Sequence, residues 1–177
     1  MELDQLAVAA RHGDRGALEQ LLRQLQGDVW RFCAHLTRRE LADDTAQETL
    51  TRIVSNLHRW QRGPIKTWAL GVARNVCFEE LRRQSRRRTA PANDVGLHDP
   101  SPDAHGVVDI AVLLDELPGD QREALVLTQL IGLSYAEAAD VMDCAVGTIR
   151  SRVARGRDSL TAALRPASFE ESSTETG

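Results

Sequence analysis

The chain has 177 residues, of which 42% are apolar and 27% are charged, a balance typical of a globular protein with one ordinary domain or two small ones. No apolar run approaches the roughly 20 residues that a membrane-spanning helix needs, and the N-terminal stretch is acidic and interrupted by charge, unlike a secretory signal. We therefore expect a cytoplasmic protein rather than a membrane protein. Cys33, Cys77 and Cys144 are odd in number and far apart, which favours buried, reduced thiols over a disulfide framework or a zinc site.

Charge is distributed unevenly along the chain, although the net charge is only −4. Residues 59–88 hold nine basic and two acidic side chains, and residues 146–165 hold five basic and one acidic. Between these segments, residues 89–120 carry seven acidic side chains and no Lys or Arg. Because a polyanion responds to the local distribution of charge, the two basic segments keep nucleic acid among the expected partners.

Residues 89–106 have the composition of a linker, since they contain three Pro, two Gly and hardly any large apolar side chain. A flexible segment of about 20 residues spans ~25 Å, enough to let two small domains lie apart. On both sides of it, apolar residues recur at three- and four-residue spacing, the pattern of helices. We predict an all-α protein with two small helical domains, at 1–88 and 107–166, joined by a flexible linker and followed by a disordered acidic tail at 167–177.

The segment ADDTAQETLTRIVSNLHRW predicts an amphipathic helix with an acidic outer face. Its apolar stripe consists of Ala46, Leu50, Ile53, Val54 and Leu57. The outer face consists of Asp44, Glu48, Thr51 and Arg52, with Gln47 at its edge. A solvated helix surface offers no burial that would separate the pKa values of two carboxylates, so a catalytic pair is not favoured. A docking surface for a basic partner is the more plausible interpretation.

A short loop follows, with tryptophans at both ends and cations around it. Trp60 and Trp68 flank the loop, and Arg59, Arg62 and Lys66 surround it. Stacking surface combined with phosphate-neutralising charge suits a nucleic-acid strand whose bases are exposed. The alternative is that both tryptophans pack in the core. We favour the core for Trp68, which lies on a predicted helix, and leave both interpretations of Trp60 open.

The longest basic helix is predicted to begin at Gly63 and Pro64, since proline suits the first turn of a helix. Residues 68–78 are apolar almost all round, which predicts a central position in the first domain. The helix then continues into a strongly basic end that includes Arg82 and Arg83.

A helix-turn-helix is predicted near the C-terminal end of the chain. Ser134 followed by Glu137 is a capping-box signature, so a helix should begin at Tyr135 and end near Met142, with a turn at 143–145. The second helix should bury one stripe, consisting of Val146, Ile149, Val153, Gly156, Leu160 and Leu164. Its polar face consists of Thr148, Ser151 and Arg155, with Arg150 and Arg152 on the flanks. This pattern is typical of a helix that enters the major groove of DNA, although an amphipathic helix with a solvated Arg face would show the same charge.

The chain resembles the small two-domain, extracytoplasmic-function sigma factors of bacterial RNA polymerase in three stretches that have the family's order and spacing. The stretches are DDTAQET, KTWALGVARNVCFEELRR and, after the linker, LPGDQREALVLTQLIGLSYAEAADVMDCAVGTIRSRVARGRDSL. The resemblance implies that the protein is not an enzyme, needs no cofactor or metal, and binds core RNA polymerase at the beta-prime clamp and the beta flap. It also leaves room for an anti-sigma factor as a partner. The implied contacts with the clamp are Asp44, Gln47, Glu48 and Arg52.

The same resemblance implies two promoter-binding surfaces. The first domain would melt and recognise the minus-ten element with Arg59, Trp60, Arg62, Lys66, Thr67, Arg74, Asn75, Arg82 and Arg83. The second domain would recognise the minus-thirty-five element with Ser134, Thr148, Arg150, Ser151, Arg152 and Arg155. Because the loop at Gly63 and Pro64 differs from the Ser common in the family, the promoter sequence does not follow from relatives.

Two other classes of protein compete with this interpretation. A stand-alone helix-turn-helix regulator would dimerise on a palindrome and never join polymerase, but it leaves the first domain unexplained. An enzyme acting on nucleic acid would need clustered His, Asp and Glu with metal or acid/base spacing, and the sequence contains no such cluster.

Overall fold

A computed structural model of the protein describes residues 2–88 and 110–164, without the side chains of Arg87, Arg88 and Ile110. The regular structure within these ranges is helical and includes no strand, which confirms the predicted all-α class. None of the helices in them is both long and apolar enough to span a bilayer. The predicted linker at 89–106 and the predicted acidic tail at 167–177 lie outside the described residues.

The first domain consists of four helices, with short 3₁₀ turns on either side of the third. The helices are α1 (Leu3–Arg11), α2 (Arg15–Leu36), α3 (Ala42–Asn56) and α4 (Ile65–Arg88). Helix α4 packs against all three of the others, because its residues around Ala69, Ala73 and Cys77 are buried and small enough for close approach. The prediction that this helix is central is therefore confirmed.

The core of the first domain contains two thiols and two hydroxyls as well as aliphatic side chains. Cys33 of α2 and Cys77 of α4 are fully buried, with their sulfur atoms 3.7 Å apart. Thr45 and Thr49 of α3 are also buried, and each hydroxyl donates to a carbonyl one turn earlier, at 2.6 Å and 2.8 Å. Because these donors are satisfied inside their own helix, burying them costs little.

Burial of the threonines shows where the predicted stripe of α3 was wrong. Val54, assigned to the core from its spacing, is 41% exposed. Ala46, Ile53 and Leu57 of the predicted stripe are buried, and the buried face extends to Ala42, Thr45 and Thr49, which the pattern did not include. A hydroxyl that bonds to its own helix can lie in a core, so an apolar-only pattern missed Thr45 and Thr49 and placed the edge of the buried face at Val54.

The second domain contains four further helices. They are α5 (Ile110–Asp115), α6 (Gly119–Leu125), α7 (Tyr135–Met142) and α8 (Val146–Leu164), with a π-helical turn at Val126–Leu130 after α6. Helix α8 packs closely on α6 at Gly156, where a Cβ atom would lie only 2.6 Å from Leu125 Cδ1. The predicted stripe of α8 is buried at Ile149, Val153 and Gly156, but Val146 and Leu164 are exposed. These two residues lie in the first and last turns of α8, beyond the part of the helix that packs on the core.

The helix-turn-helix has the predicted boundaries. The Ser134 hydroxyl accepts from the backbone N–H of Glu137, and the Glu137 carboxylate accepts from the backbone N–H of Ser134 at 2.8 Å. Helix α7 ends at Met142, followed by Asp143 in the left-handed conformation at φ 50°. Aspartate tolerates this conformation better than most residues, so the chain can turn sharply into α8.

The two domains are in contact. Phe32, Leu70 and Ala73 of the first domain belong to the same buried apolar cluster as Leu127 and Met142 of the second. Helix α7 lies against α4, and α6 lies against α2. The length of the predicted linker would have allowed the domains to lie apart. They pack together because α2 and α4 carry apolar surface that the second domain removes from water.

Candidate polymerase and promoter interfaces

The outer face of α3 presents the acidic residues that the sequence predicted. Asp44, Gln47 and Glu48 are exposed on one side of the helix. Their orientation follows from the burial of Thr45 and Thr49 on the opposite side. The structure therefore brings these three predicted polymerase contacts together on one solvent-facing surface.

Arg52, the fourth predicted contact, also forms ion pairs within the first domain. Its guanidinium binds Glu48 at 2.7 Å and Glu79 of α4 at 2.7 Å. The two carboxylates raise the pKa of Arg52, and Arg52 in turn lowers the pKa of Glu79. Arg52 thus joins α3 to α4 while it remains at the edge of the acidic face.

An exposed tryptophan that the sequence analysis did not select adjoins this face. Trp30 of α2 is 38% exposed, and its indole N–H donates to the Asp43 carboxylate at 2.7 Å. Arg23 and Gly27 line an open groove beside it. Exposed tryptophans are frequent anchors of protein interfaces, but the helical spacing of Trp30 alone did not separate a surface position from a core position.

Of the two tryptophans of the loop, Trp60, which the sequence left open, lies in the core, and Trp68, expected in the core, is only partly buried. Trp60 is 7% exposed and belongs to the first-domain core, and its indole N–H donates to Gly63 O at 3.1 Å. Arg11 donates to Trp60 O at 2.9 Å and lies over its ring. Trp68 is partly buried and lines a cleft between the domains. In this arrangement, Trp68 offers more surface for a base than Trp60 does.

The N-terminal half of α4 carries predicted minus-ten residues that touch other parts of the protein. Lys66 binds Asp28 at 2.7 Å and donates to Ile131 O of the second domain at 3.0 Å. Thr67 is buried. Arg74 binds Glu123 of α6 at 2.5 Å. These three residues are therefore engaged or covered in the closed arrangement of the two domains.

The remaining predicted minus-ten residues are accessible. Arg59, Arg62, Asn75, Arg82 and Arg83 are all exposed. Arg83 binds Glu80 one turn earlier in α4. They extend the basic surface from the loop to the C-terminal half of α4, on either side of the contact with the second domain.

Glu123 was not selected from the sequence, yet it is the most deeply buried charged side chain among the described residues, at 3% exposure. Burial raises its pKa, and the hydrogen bond from Arg74 opposes that shift. The Arg74 guanidinium also lies over the Phe78 ring, 4.5 Å from its centroid. No local sequence signal identifies this pair, because its members are 49 positions apart.

An open cleft of about 510 Å³ lies between the domains beside this ion pair. Its walls consist of Arg62, Gly63, Pro64, Thr67, Trp68, Gly71, Val72, Arg74 and Asn75 of the first domain and Asp140, Val141 and Asp143 of the second. The first wall is basic and aromatic, and the second is acidic. The cleft thus places the carboxylates of Asp140 in α7 and of Asp143 just after it opposite predicted nucleic-acid contacts.

Helix α8 presents its polar face more openly than α4. Arg150 and Arg155 are exposed, whereas Thr148 and Ser151 are half-buried. Arg152 binds Asp120 at 3.0 Å and lies 3.6 Å from the Cys144 sulfur. The arginines at 150 and 155 are therefore the most accessible of the predicted minus-thirty-five residues.

Ser134 has a structural role that accounts for its presence without DNA. Its hydroxyl lies 2.6 Å from the Glu137 carboxylate and accepts from the Glu137 backbone at 3.2 Å. The hydrogen bonds from Ser134 lower the pKa of Glu137. A DNA contact by this hydroxyl would be additional to its capping role.

Comparison with known proteins defines the class. Residues 21–87 match the family described as Sigma-70 region 2, and residues 108–160 match Sigma-70, region 4. The chain is 45% identical over 167 residues to the probable RNA polymerase sigma-C factor of Mycobacterium bovis, covering 91% of this chain and 90% of that protein. It is 40% identical over 130 residues to the ECF RNA polymerase sigma factor EcfG of Rhodopseudomonas palustris, covering 70% of this chain and 71% of that protein.

A solved structure agrees with these matches. The sigma factor RpoE of Bartonella quintana, crystallised with the anti-sigma factor NepR, superposes with a TM-score of 0.70 at 29% identity, over 82% of this chain and 95% of that one. The two matched regions define a sigma-70-type initiation factor. The chain belongs to the extracytoplasmic-function RNA polymerase sigma factors.

Family membership establishes what the protein does. It is a non-enzymatic factor that binds core RNA polymerase and directs initiation at promoters. The expectation of a sigma factor is confirmed, and a stand-alone regulator is disfavoured because the first domain matches a sigma region.

Proposed function

We propose that the acidic face of α3 docks on the clamp helices of the polymerase beta-prime subunit. Asp44, Gln47, Glu48 and Arg52 would make the contact, and the second domain would bind the beta flap. Exposure of the first three residues on one side of α3 supports this assignment. Charge complementarity with a basic partner would speed association and fix the docking register.

For the minus-ten element, the proposed surface runs from the loop along α4. It consists of Arg59, Trp60, Arg62, Lys66, Thr67, Arg74, Asn75, Arg82 and Arg83. Support comes from the continuous basic and aromatic wall of the cleft, where Trp68 lies beside Arg62 and Arg74. Cations along a strand's backbone with an aromatic ring for its bases are what melted DNA requires. With Trp60 buried in the core, Trp68 is the better-supported stacking residue of the two.

The proposed minus-thirty-five surface is the exposed face of the helix-turn-helix. It consists of Ser134, Thr148, Arg150, Ser151, Arg152 and Arg155. The observation that carries the proposal of two separate DNA surfaces is the location of the basic segments, one on α4 and one on α8, in different domains. Arg150 and Arg155 are exposed in the first three turns of α8, the part of a recognition helix that meets base edges.

A location and one further partner complete the proposal. A cytoplasmic location follows if the protein acts with polymerase on the chromosome. An anti-sigma partner is supported by the RpoE relative, whose structure contains one.

The test is reconstitution with purified core polymerase on promoter DNA from the same genome. Specific run-off transcripts and permanganate-reactive thymines near position minus ten should require both core enzyme and this protein. Specific, tight promoter binding by the protein alone, with no dependence on core enzyme, would instead favour a stand-alone regulator.

A further inference from the structure

Helix α1 lies outside the residues that match a sigma region and belongs to neither of the proposed interfaces. The match with Sigma-70 region 2 covers residues 21–87, whereas α1 spans Leu3–Arg11. Leu6 of α1 is fully buried in the same core cluster as Trp60 and Ile65. The helix also packs against α4 and the 3₁₀ turn that precedes the loop. Helix α1 is therefore fixed beside the loop between that turn and α4.

Two polar side chains of α1 bind the two ends of this loop. Where the loop begins, the Arg11 guanidinium donates to the Trp60 carbonyl at 2.9 Å and lies over the indole, 5.8 Å from the ring centroid. Where the loop ends, the Asp4 carboxylate accepts from the backbone N–H of Ile65 at 2.7 Å. One helix thus holds both ends of the loop.

The contact with Asp4 supplies a cap that the sequence next to α4 does not provide. A helix commonly begins after a Ser, Thr, Asp or Asn whose side chain accepts from one of the first backbone N–H groups. Gly63 and Pro64, the two residues before Ile65, have no side-chain acceptor. A carboxylate also suits the positive end of the helix dipole. Asp4 therefore caps α4 from 61 positions away in the sequence.

Between its two fixed ends, the loop turns back on itself and exposes its tip. The Trp60 indole N–H donates to the Gly63 carbonyl at 3.1 Å, and Gly63 has a φ of 74°, a conformation that glycine adopts readily. The tip, residues 61–64, is exposed. A loop that is already ordered loses less conformational freedom when it binds, so holding its ends favours both affinity and specificity.

We infer that Asp4 and Arg11 are positioning residues for recognition of the minus-ten element. They hold the loop in the conformation in which its exposed tip meets the melted strand, and they act through the backbone of Trp60 and Ile65 rather than by touching DNA. This inference rests on the proposed assignment of the loop to the minus-ten element.

The opposite charges of the two side chains distinguish positioning from direct attraction to DNA. If only electrostatic attraction mattered, removing the Asp4 carboxylate would strengthen DNA binding, and removing the Arg11 guanidinium would weaken it. If the two residues hold the loop, both changes weaken recognition in the same direction.

The test uses the full chain in holoenzyme and a fork-junction promoter DNA that exposes the minus-ten strand. Affinity is measured for the native minus-ten sequence and for single-base substitutions of it, and the ratio of the two affinities is the discrimination. Asp4→Ala and Arg11→Ala should each reduce this discrimination about fivefold, the effect of losing one hydrogen bond. A smaller folded fraction would scale both affinities equally, so a purely structural role leaves the ratio unchanged.

Asp14→Ala is the matched control, because it also removes one carboxylate that caps a helix. Asp14 accepts from the backbone N–H of Ala17 at 3.0 Å, at the start of α2 rather than α4. This variant should keep the discrimination of the wild type. Asp4→Asn keeps an oxygen acceptor without the charge, and it should retain most of the discrimination that Asp4→Ala loses.

Hydrogen exchange of the free chain tests the contact itself. Peptides that cover residues 61–66 should exchange faster in Asp4→Ala than in Asp14→Ala, because the Ile65 N–H loses its acceptor. Equal exchange in the two variants would show that α1 does not hold the loop, and would overturn the inference.

Arg62→Ala, at the tip of the loop, separates a failure of the inference from a failure of the proposed function. If Arg62→Ala weakens binding of the minus-ten strand while Asp4→Ala and Arg11→Ala keep the wild-type discrimination, the positioning role is wrong. If none of the three variants has an effect, the assignment of the loop to the minus-ten element is wrong, and the inference falls with it. Stronger binding of every sequence by Asp4→Ala would also overturn positioning, in favour of simple electrostatics.

Discussion

Helices α4 and α8 carry the two basic surfaces of the protein, and the two surfaces differ in how accessible their cations are. On α4, Lys66 and Arg74 are engaged by carboxylates and a carbonyl of the protein itself. On α8, Arg150 and Arg155 are exposed. A surface proposed for single-stranded DNA is thus partly covered, and a surface proposed for duplex DNA is presented. The α4 surface would meet single-stranded DNA only where a promoter is being opened.

The largest effect expected at either surface is a loss of stability at Trp60. Trp60→Ala should lower the free energy of unfolding of the first domain by about 3–5 kcal/mol, because a buried tryptophan leaves a large cavity. Trp68→Ala, at the partly buried position in the cleft, should cost much less stability. Thermal or urea denaturation of both variants measures the difference.

The same two variants separate packing from strand binding. In holoenzyme, Trp68→Ala should reduce permanganate reactivity of promoter thymines while duplex association survives, because the lost stacking is worth about 1–3 kcal/mol per base. A stable, well-folded Trp60→Ala with defective opening would reassign the stacking role to Trp60. Normal opening by Trp68→Ala would leave the cations of the loop as the strand contacts.

Loss of an exposed arginine on α8 should have the next largest effect. Arg155→Ala should reduce promoter affinity of the holoenzyme by about 1–3 kcal/mol if its guanidinium contacts a base edge. Arg157→Ala is the matched control, since Arg157 lies on the same helix, is exposed, and binds Gln129 at 2.6 Å instead.

Comparison with Arg157→Ala shows whether Arg155 contacts a base edge or the DNA backbone. A loss confined to Arg155→Ala, and only on promoters with the native minus-thirty-five sequence, supports a base contact. Equal losses for both variants on every promoter would reduce Arg155 to a general electrostatic contribution.

Features of these surfaces that depend on residues close together in the sequence were predicted, and features that depend on distant residues were not. The helix-turn-helix was predicted to the residue because its signals are local, with a capping box at Ser134 and Glu137 and a turn at Asp143. The face of α3 was predicted only in part, because buried hydroxyls at Thr45 and Thr49 look polar in a pattern although they bond within their own helix.

Longer-range features did not follow from pattern. Trp60 lies outside the regular α-helices, so periodicity could not assign it to the core or to the surface. The contact of Arg74 with Glu123 joins two domains across 49 positions, and neither residue differs in sequence from an ordinary solvated charge. Coverage of the α4 surface was therefore not predictable, whereas its basic character was.

A smaller effect is expected at the acidic face of α3. Glu48→Lys should weaken binding to core polymerase by about tenfold, roughly 1.4 kcal/mol, and more at low than at high salt because the charges are exposed. Stability should change little, since Arg52 keeps its bond to Glu79. Glu19→Lys, on an exposed position of α2, is the control, and equal core affinity of the two variants would remove the docking assignment.

The smallest effect concerns Ser134, which is proposed for DNA contact and also caps α7. Ser134→Ala should destabilise the second domain by about 1 kcal/mol, the usual cost of losing an N-cap.

The loss should depend on pH, because hydrogen bonds from Ser134 lower the pKa of Glu137. A lowered carboxyl pKa stabilises the fold above the ordinary value of 4.5 and loses that contribution as the pH falls through the lowered folded value. The difference in unfolding free energy between wild type and Ser134→Ala should therefore be constant near neutral pH and shrink below about pH 4.5. A difference that does not change with pH would show that the Glu137 carboxylate takes no part in the cap, and a loss of promoter affinity beyond that of Arg157→Ala would assign Ser134 to DNA as well.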